Sequence, residues 1–327
     1  MTTIYDVAEY CGVSVSTVSR AIAAPDMVRQ STRRRVLEAV DKLGYQPNRV
    51  ARALSTGRTR SIGFVVPSLA NPFFPRVLKA AQGAARSLDF AVLVGDTDED
   101  PDAEAELITT MGRQVDGVVV CAPRLADKDI LRLAREVKIV CVNRPVRGVP
   151  GVLMDSAAGV SEAARYLHGL GHQRFVYVNG PERSWSNGER RGALGAEAER
   201  LGFEVHELGP VSAKFEDGVA LAPEIARMGV SAVMAYNDLI ALGVLAGLRQ
   251  TGVEVPGQIS VVGVDDIMMA AMSTPALSTV SVAKDEAGAA AVELLLEVLE
   301  GERRGPARTL RCPPTFVRRQ STGPAPA

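Results

Sequence analysis

Beyond residue 60 the chain repeats one pattern: a short run of β-branched and aliphatic residues, a polar turn, then a helical stretch. Such runs stand at 62–66, 91–94, 117–121, 137–142, 175–178, 232–235 and 260–264, with helical segments between most of them. Strands separated by helices join through crossovers, which forces parallel sheets with helices wound on both faces. Roughly 260 residues of this pattern exceed what one sheet usually takes. Two similar α/β lobes facing each other across a cleft are therefore expected over residues 61–311. Ligands of open α/β sheets sit off the carboxyl ends of the strands, so the cleft is where binding chemistry is sought.

The first 46 residues carry a different pattern. Ile4, Val7, Ala8 and Cys11 recur at i, i+3, i+4 and i+7, the apolar stripe of a short helix that Thr3 can cap and Gly12 breaks. A second helix from Ser14 turns Val18 and Ile22 inward and leaves Val15, Ser16, Ser19 and Arg20 outward. A third, from Ser31, repeats the spacing with Val36, Ala39, Val40 and Leu43 and ends at Gly44. Two short helices joined by a glycine turn, the second hydroxyl-rich and basic, read as a helix-turn-helix headpiece. Pro47 suits the first turn of a short helix that ends near Leu54, and the polar, basic residues 55–60 form a linker, so 47–60 is read as hinge and linker. The tail 312–327, with Pro313, Pro314, Pro324 and Pro326, is read as a separate Pro-rich segment.

Charge supports the division. The net charge is −1, yet residues 1–60 hold 10 Lys and Arg against 5 Asp and Glu, leaving 27 against 33 for the rest. A basic head on a mildly acidic body suits a protein that touches phosphates at one end only. The four cysteines are widely spaced without a CxxC pair, which points to a reducing compartment and buried thiols. Asp6 and Glu9 interrupt the stretch a signal peptide needs, and no apolar run of about 18 residues occurs. A soluble, cytoplasmic chain with no membrane partner is expected.

From Thr2 to Arg20, and on through the residues 45–54, this sequence closely resembles the headpiece of the LacI/GalR family of bacterial regulators. Asn71-Pro72-Phe73-Phe74, Asn143-Arg144-Pro145, Gly180-Pro181, Ser184-Trp185-Ser186-Asn187, Arg190, Asn237-Asp238 and Val262-Gly263-Val264-Asp265-Asp266 extend the resemblance over almost the whole chain. It implies an all-α helix-turn-helix headpiece and a two-lobed, type I periplasmic-binding-protein-like α/β body. It also implies a homodimer on a pseudo-palindromic double-stranded DNA operator, controlled by a small-molecule effector. Arg20 can bind guanine bidentately, Ser16 can exchange hydrogen bonds with a base edge and Val15 can meet a thymine methyl. The family places specificity at these three positions and phosphate contacts at Tyr5, Ser14, Thr17, Ser19, Tyr45 and Asn48. Leu54 matches the leucine that wedges into the minor groove. The plainer alternatives are solvated helix residues, and Leu54 packed on the body.

In the body, Arg190 offers a planar fork of donors, Asp265 ends a hydrophobic strand where a carboxylate can accept two sugar hydroxyls, and Asn237 offers a donor and an acceptor. Phe73, Phe74 and Trp185 can wall an apolar site, with Asn71 and Asn143 beside them. Asn143 departs from the aspartate common in the family. The alternatives are ordinary core for the aromatics and an inter-lobe salt bridge for Arg190 and Asp265; Asp238 is as good a helix cap as a ligand contact. The residue mix favours a sugar or sugar derivative, with an acidic effector also compatible. Inducer and corepressor both fit, and a repressor is the expected sign.

Other chemistry finds little footing. Asp96 to Asp100 resembles a calcium loop, but Pro101 replaces the required glycine. His168 and His172 lie at i, i+4 with glycines that end the helix. No catalytic constellation and no cofactor motif emerges. A solute-binding protein and an enzyme using the cleft are the two competing classes; a headpiece disfavours the first, and the missing acid–base or nucleophile set disfavours the second.

Overall fold

A computed structural model describes residues 2–23, 25–45, 57–301 and 307–326. The chain divides into two compact units, Met1–Thr59 and Arg60–Ala327. In the first, α1 (Ile4–Cys11), α2 (Val15–Ala23), a 3₁₀ turn (Pro25–Met27) and α3 (Gln30–Leu43) follow in order. Thr3 and Asp6 close a capping box: the Thr3 hydroxyl accepts from Asp6 N at 3.4 Å, and Asp6 Oδ2 accepts from Thr3 N at 2.7 Å. The second of these bonds holds the Asp6 carboxyl below its usual range. Gly12 then takes φ 59°, the left-handed conformation that ends α1. Val7, Ala8 and Cys11 of α1 meet Val18 and Ala21 of α2 and Val36 and Ala39 of α3 in one small core.

The second unit holds two six-stranded sheets. Lobe 1 is built on β1 (Ser61–Val66), β2 (Ala91–Asp96), β3 (Gly117–Cys121), β4 (Ile139–Val142), β5 (Gly151–Met154) and the late strand β11 (Thr309–Cys312), in the order β11-β5-β4-β3-β1-β2. Its helices are α4 (Phe73–Ser87), α5 (Pro101–Gly112), α6 (Asp127–Leu133) and α12 (Lys284–Glu300). Lobe 2 contains β6 (Arg174–Val178), β7 (Glu204–Leu208), β8 (Ala232–Ala235), β9 (Ser260–Asp265), β10 (Ser278–Ser281) and β12 (Thr315–Val317), in the order β12-β10-β9-β8-β6-β7. Its helices are α7 (Ser156–Gly169), α8 (Trp185–Leu201), α9 (Phe215–Ile225), α10 (Asp238–Gln250) and the short α11 (Met268–Met272). Central strands such as β3 and β8 are buried throughout, as parallel strands covered on both faces must be. The chain passes between lobes after β5, after β10 and after β11.

The tail corrects the sequence reading. Residues 315–317 form β12, which runs antiparallel to β10 with Phe316 opposite Val280, and the segment beyond it straps lobe 2. Ser321 Oγ donates to Val261 O at 2.6 Å and accepts from Ser278 N at 2.8 Å, and Ala325 N donates to Leu170 O at 2.9 Å. Gly323 O lies 3.0 Å from His172 Nε2, whose other nitrogen lies 2.8 Å from Ser231 Oγ. Prolines mark a crossover and an edge strand as readily as a loose end, so composition alone misassigned this segment.

Candidate functional site

On α2 the inward residues are Val18 and Ala21, which turns Ser16 and Arg20 to the exposed side. Arg20 Nε donates to Ser16 O at 3.2 Å, so the guanidinium starts from a position fixed along the helix. Ser14 Oγ accepts from Thr17 N at 3.2 Å and lies 2.8 Å from both the Ser16 and Thr17 hydroxyls, an N-terminal cluster of exchangeable donors and acceptors. Tyr5 is 71% exposed, and Ser19 is half-buried. Val15 and Tyr45 are half-buried and pack against the headpiece core, because the first turn of α2 and the end of α3 close its rim. Asn48 and Leu54 lie outside the described residues. The sequence reading also passed over Arg29, Arg33, Arg34 and Arg35, all exposed at the start of α3.

In the body, Asp265 at the end of β9 and Asn143 after β4 come near Arg190 on α8, together with neighbours to which the sequence gave no role. Ser184 caps α8 by accepting from Asn187 N, which sets Ser186 and Arg190 one turn apart on its buried side. Arg190 Nε donates to Ser156 Oγ at 2.9 Å and Nη1 to Tyr236 O at 2.5 Å, while its third nitrogen stands 3.7 Å from Asp265. Its guanidinium lies 4.9 Å from the centre of the Tyr236 ring. Both ionic side chains are almost fully buried, and burial pushes the Asp265 carboxyl up to about 6 against the opposing pull of Arg190 and Lys284. Asp238 is raised well above the usual carboxylate range by burial and by the charge of Asp265, despite bonds from Thr279 Oγ1 and Ile267 N.

Lobe 1 contributes Asn143, which follows β4 with φ 60° and is 5% exposed. Its carbonyl accepts from Ser186 Oγ of lobe 2 at 3.4 Å, and its side-chain Oδ1 is buried with no hydrogen-bond partner. An unpaired buried acceptor is unfavourable by about 1–3 kcal/mol until a donor arrives. Arg124, at the end of β3, is held bidentately by Glu99 at 2.5 and 3.1 Å, and Glu104 accepts from Arg124 N at 2.7 Å. That buried ionic group fixes the loop beside Asn143.

Other expected contacts turn out differently. Asn237 is the N-cap of α10: its Oδ1 accepts from Ile240 N at 3.0 Å and its Nδ2 donates to Ala213 O at 3.2 Å, so the backbone takes both ends of the amide. Asp238, weighed as a cap, instead fastens β10 and the turn after β9. Phe73 and Phe74 are buried edge to face at 5.0 Å in the hydrophobic core, and Asn71 Oδ1 accepts from Phe73 N at 3.1 Å to start α4. Trp185 is half-buried at the first position of α8. Lys284, Ser156 and Tyr236 were missed, and Ser186 was quoted in the sequence without a role. Each is chemically ordinary in sequence, and only the fold gives it an ionic or inter-lobe neighbour. Among the described residues no helix is long and apolar enough to cross a membrane.

Comparison with known proteins agrees with this architecture. A model described as bacterial regulatory proteins, lacI family, matches residues 3–48, and one described as a periplasmic binding protein-like domain matches residues 164–322. The ribose operon repressor of Bacillus subtilis is 32% identical, with 98% of this chain and 99% of that protein covered. The HTH-type transcriptional regulator GalS of Salmonella typhimurium is 33% identical, with 98% and 96% covered. The lac repressor dimer bound to operator and the anti-inducer ONPF matches at a TM-score of 0.87 and 26% identity, covering 98% of this chain and 99% of that one. These relatives regulate transcription and are not enzymes. The chain belongs to the lacI family of bacterial regulatory proteins and is a DNA-binding transcriptional regulator.

Proposed function

We propose that this protein is a homodimeric cytoplasmic repressor that binds a pseudo-palindromic operator and is controlled by a sugar or sugar derivative in the cleft between its lobes. The observation that carries the reading is the buried, unpartnered Oδ1 of Asn143, a residue whose backbone carbonyl meets Ser186 of the lobe that holds Arg190 and Asp265. A polyhydroxyl ligand supplies the missing donor to Asn143, accepts from the Arg190 nitrogen that Ser156 and Tyr236 leave over, and donates to Asp265. The ribose operon repressor among the relatives and a CelR–cellobiose complex among the similar structures, 28% identical with a TM-score of 0.72 and covering 98% of this chain and all of that one, support a sugar. Arg20 and Ser16 read base edges, and Tyr5, Ser14, Thr17 and Ser19 set register on phosphates. Residues 47–60, with Asn48 and Leu54, act as the hinge through which lobe motion alters operator affinity. A coupling of about 1–3 kcal/mol changes that affinity about 5–150-fold.

Selection from a library of random duplexes at fixed salt, with wild type and Arg20→Ala side by side, tests the DNA half. One palindrome enriched by wild type and relaxed at a single base pair of each half-site in the variant is expected. Retention of that base preference by the variant removes Arg20 from the reading face. Release of the selected duplex by pentoses, hexoses and disaccharides tests the cleft, and Asn143→Leu is expected to abolish it.

A further inference from the structure

We infer that Lys284 is a positioning residue that pins the angle between the lobes, holding the Asp265–Asp266 corner of lobe 2 to the first turn of α12 in lobe 1. Lys284 opens α12 directly after the second crossover, and its Nζ donates to the carbonyl oxygens of Asp265 and, at 3.4 Å, Asp266. Asp265 and Asp266 adopt φ of 116° and 54°, a left-handed corner that side chains other than glycine rarely take. The corner points two carbonyls at one place, and the ammonium meets them there. Each side of this joint is tied back to its own lobe. Asp285, the next residue, holds Arg76 of α4 at 2.6 and 2.5 Å, which fixes the turn within lobe 1. Asp266 accepts from Arg319 at 2.7 Å, and Arg319 also donates to Leu277 O, which fixes the corner within lobe 2.

Room to move exists around the pin. A cavity of about 870 Å³ is bounded by Pro72 and Arg76 of lobe 1, Asp266 and Ile267 of lobe 2, and Lys284 between them. Asp265 offers its carboxylate to Arg190 and its carbonyl to Lys284, so one residue joins the floor of the cleft to the crossover. A ligand that draws on that carboxylate therefore pulls on the pin. This consequence rests on the effector reading above; the pin itself does not.

The test measures the distance between lobes without any ligand. Spin labels are placed at Lys128→Cys in lobe 1 and Glu182→Cys in lobe 2, both exposed, in a Cys312→Ser background that removes the native thiol that is not fully buried. Dilution with excess unlabelled protein keeps the measured pairs within one chain. The parent is expected to give one narrow distance. Lys284→Met and Lys284→Gln are expected to lengthen or broaden it by ~2 Å or more, Lys284→Arg to restore it, and Arg165→Gln, which breaks the ion pair with Glu197 inside lobe 2 away from the joint, to leave it narrow. Melting curves check that each variant is folded. A narrow, unshifted distance in both Lys284→Met and Lys284→Gln overturns the proposal, as does equal broadening by Arg165→Gln. Failure here leaves the effector reading standing, and failure of a sugar screen leaves the pin standing.

Discussion

Asp265 shows how a single buried group joins stability to function. Its carboxyl titrates near 6 in the fold against 3.8 as the ordinary value, a displacement worth about 3 kcal/mol. Between those two values the folded chain keeps a proton that the unfolded chain has released, so the stability contributed by this group is complete below pH ~4 and is lost as pH rises through ~6. Asp265→Asn removes the titration while leaving Arg190 less well opposed. Urea midpoints measured from pH 4 to 7 are expected to fall more steeply in wild type than in the variant, whatever the offset between them. Parallel curves would show that Asp265 ionises in the fold as it does in water. The type and place of this residue were legible in the sequence, since an aspartate ending a hydrophobic strand is conspicuous. Asn143 was legible in the same way. Neither the burial that shifts Asp265 nor the Lys284 ammonium that meets its carbonyl belongs to any local pattern, so neither could be read ahead of the fold.

Elements were legible where hydrophobic periodicity is strong. The runs at 62–66, 117–121, 175–178, 232–235 and 260–264 fall within β1, β3, β6, β8 and β9, all of them surrounded by other strands and apolar throughout or nearly so. One strand of the same kind, β5 (Gly-Val-Leu-Met, buried throughout between β4 and β11), was passed over because it is only four residues long and opens on glycine; the others passed over differ. β7 is an edge strand reading Glu-Val-His-Glu-Leu, β11 and β12 are short edge strands, and β10 carries Ser278 and Thr279 in its buried stretch. Those hydroxyls are tolerated because Thr322 and Asp238, distant in sequence, bond to them. Helix contacts hide similarly. Gly218 of α9 and Gly243 of α10 let the two backbones touch: a Cβ on Gly218 would stand 2.1 Å from Ile240 O, and one on Gly243 2.0 Å from Phe215 O. Gly218→Ala should destabilise the body by about 1–3 kcal/mol by forcing α9 away from α10, despite alanine's better helix propensity. In the headpiece, Thr3→Ala should lose about 1 kcal/mol through the broken capping box. Thermal unfolding of the full chain followed at two wavelengths would check both; a rise in melting temperature for Gly218→Ala would show that the helices have slack.

At the scale of the molecule, the two lobes are not equally self-sufficient. Lobe 1 has a private apolar cluster around Ile108, Val118 and Ile130, and its sheet is complete once β11 has paired with β5. Lobe 2 has its own cluster around Val176, Ile240 and Leu248, but its sheet is closed by β12 and strapped by the residues that follow. A third cluster, running from Ile62 and Phe64 of lobe 1 to Phe175 and Tyr177 of lobe 2, argues for a single cooperative unit. The strap decides between these pictures. Ending the chain after Cys312 removes β12 and the partners of Val261 O, Ser278 N and His172 Nε2, groups buried or nearly so. Each such group left unpaired is unfavourable by about 1–3 kcal/mol, and several together rival the net stability of an ordinary domain. Hydrogen exchange on the shortened chain is therefore expected to show β9 and β10 losing protection while β1 and β3 keep theirs. Equal loss in both sheets would mean that the shared cluster outweighs the private ones. In that case strain entered at one lobe is felt at once throughout the other, and the joint at Lys284 would transmit a change of shape rather than hold two separable bodies at an angle.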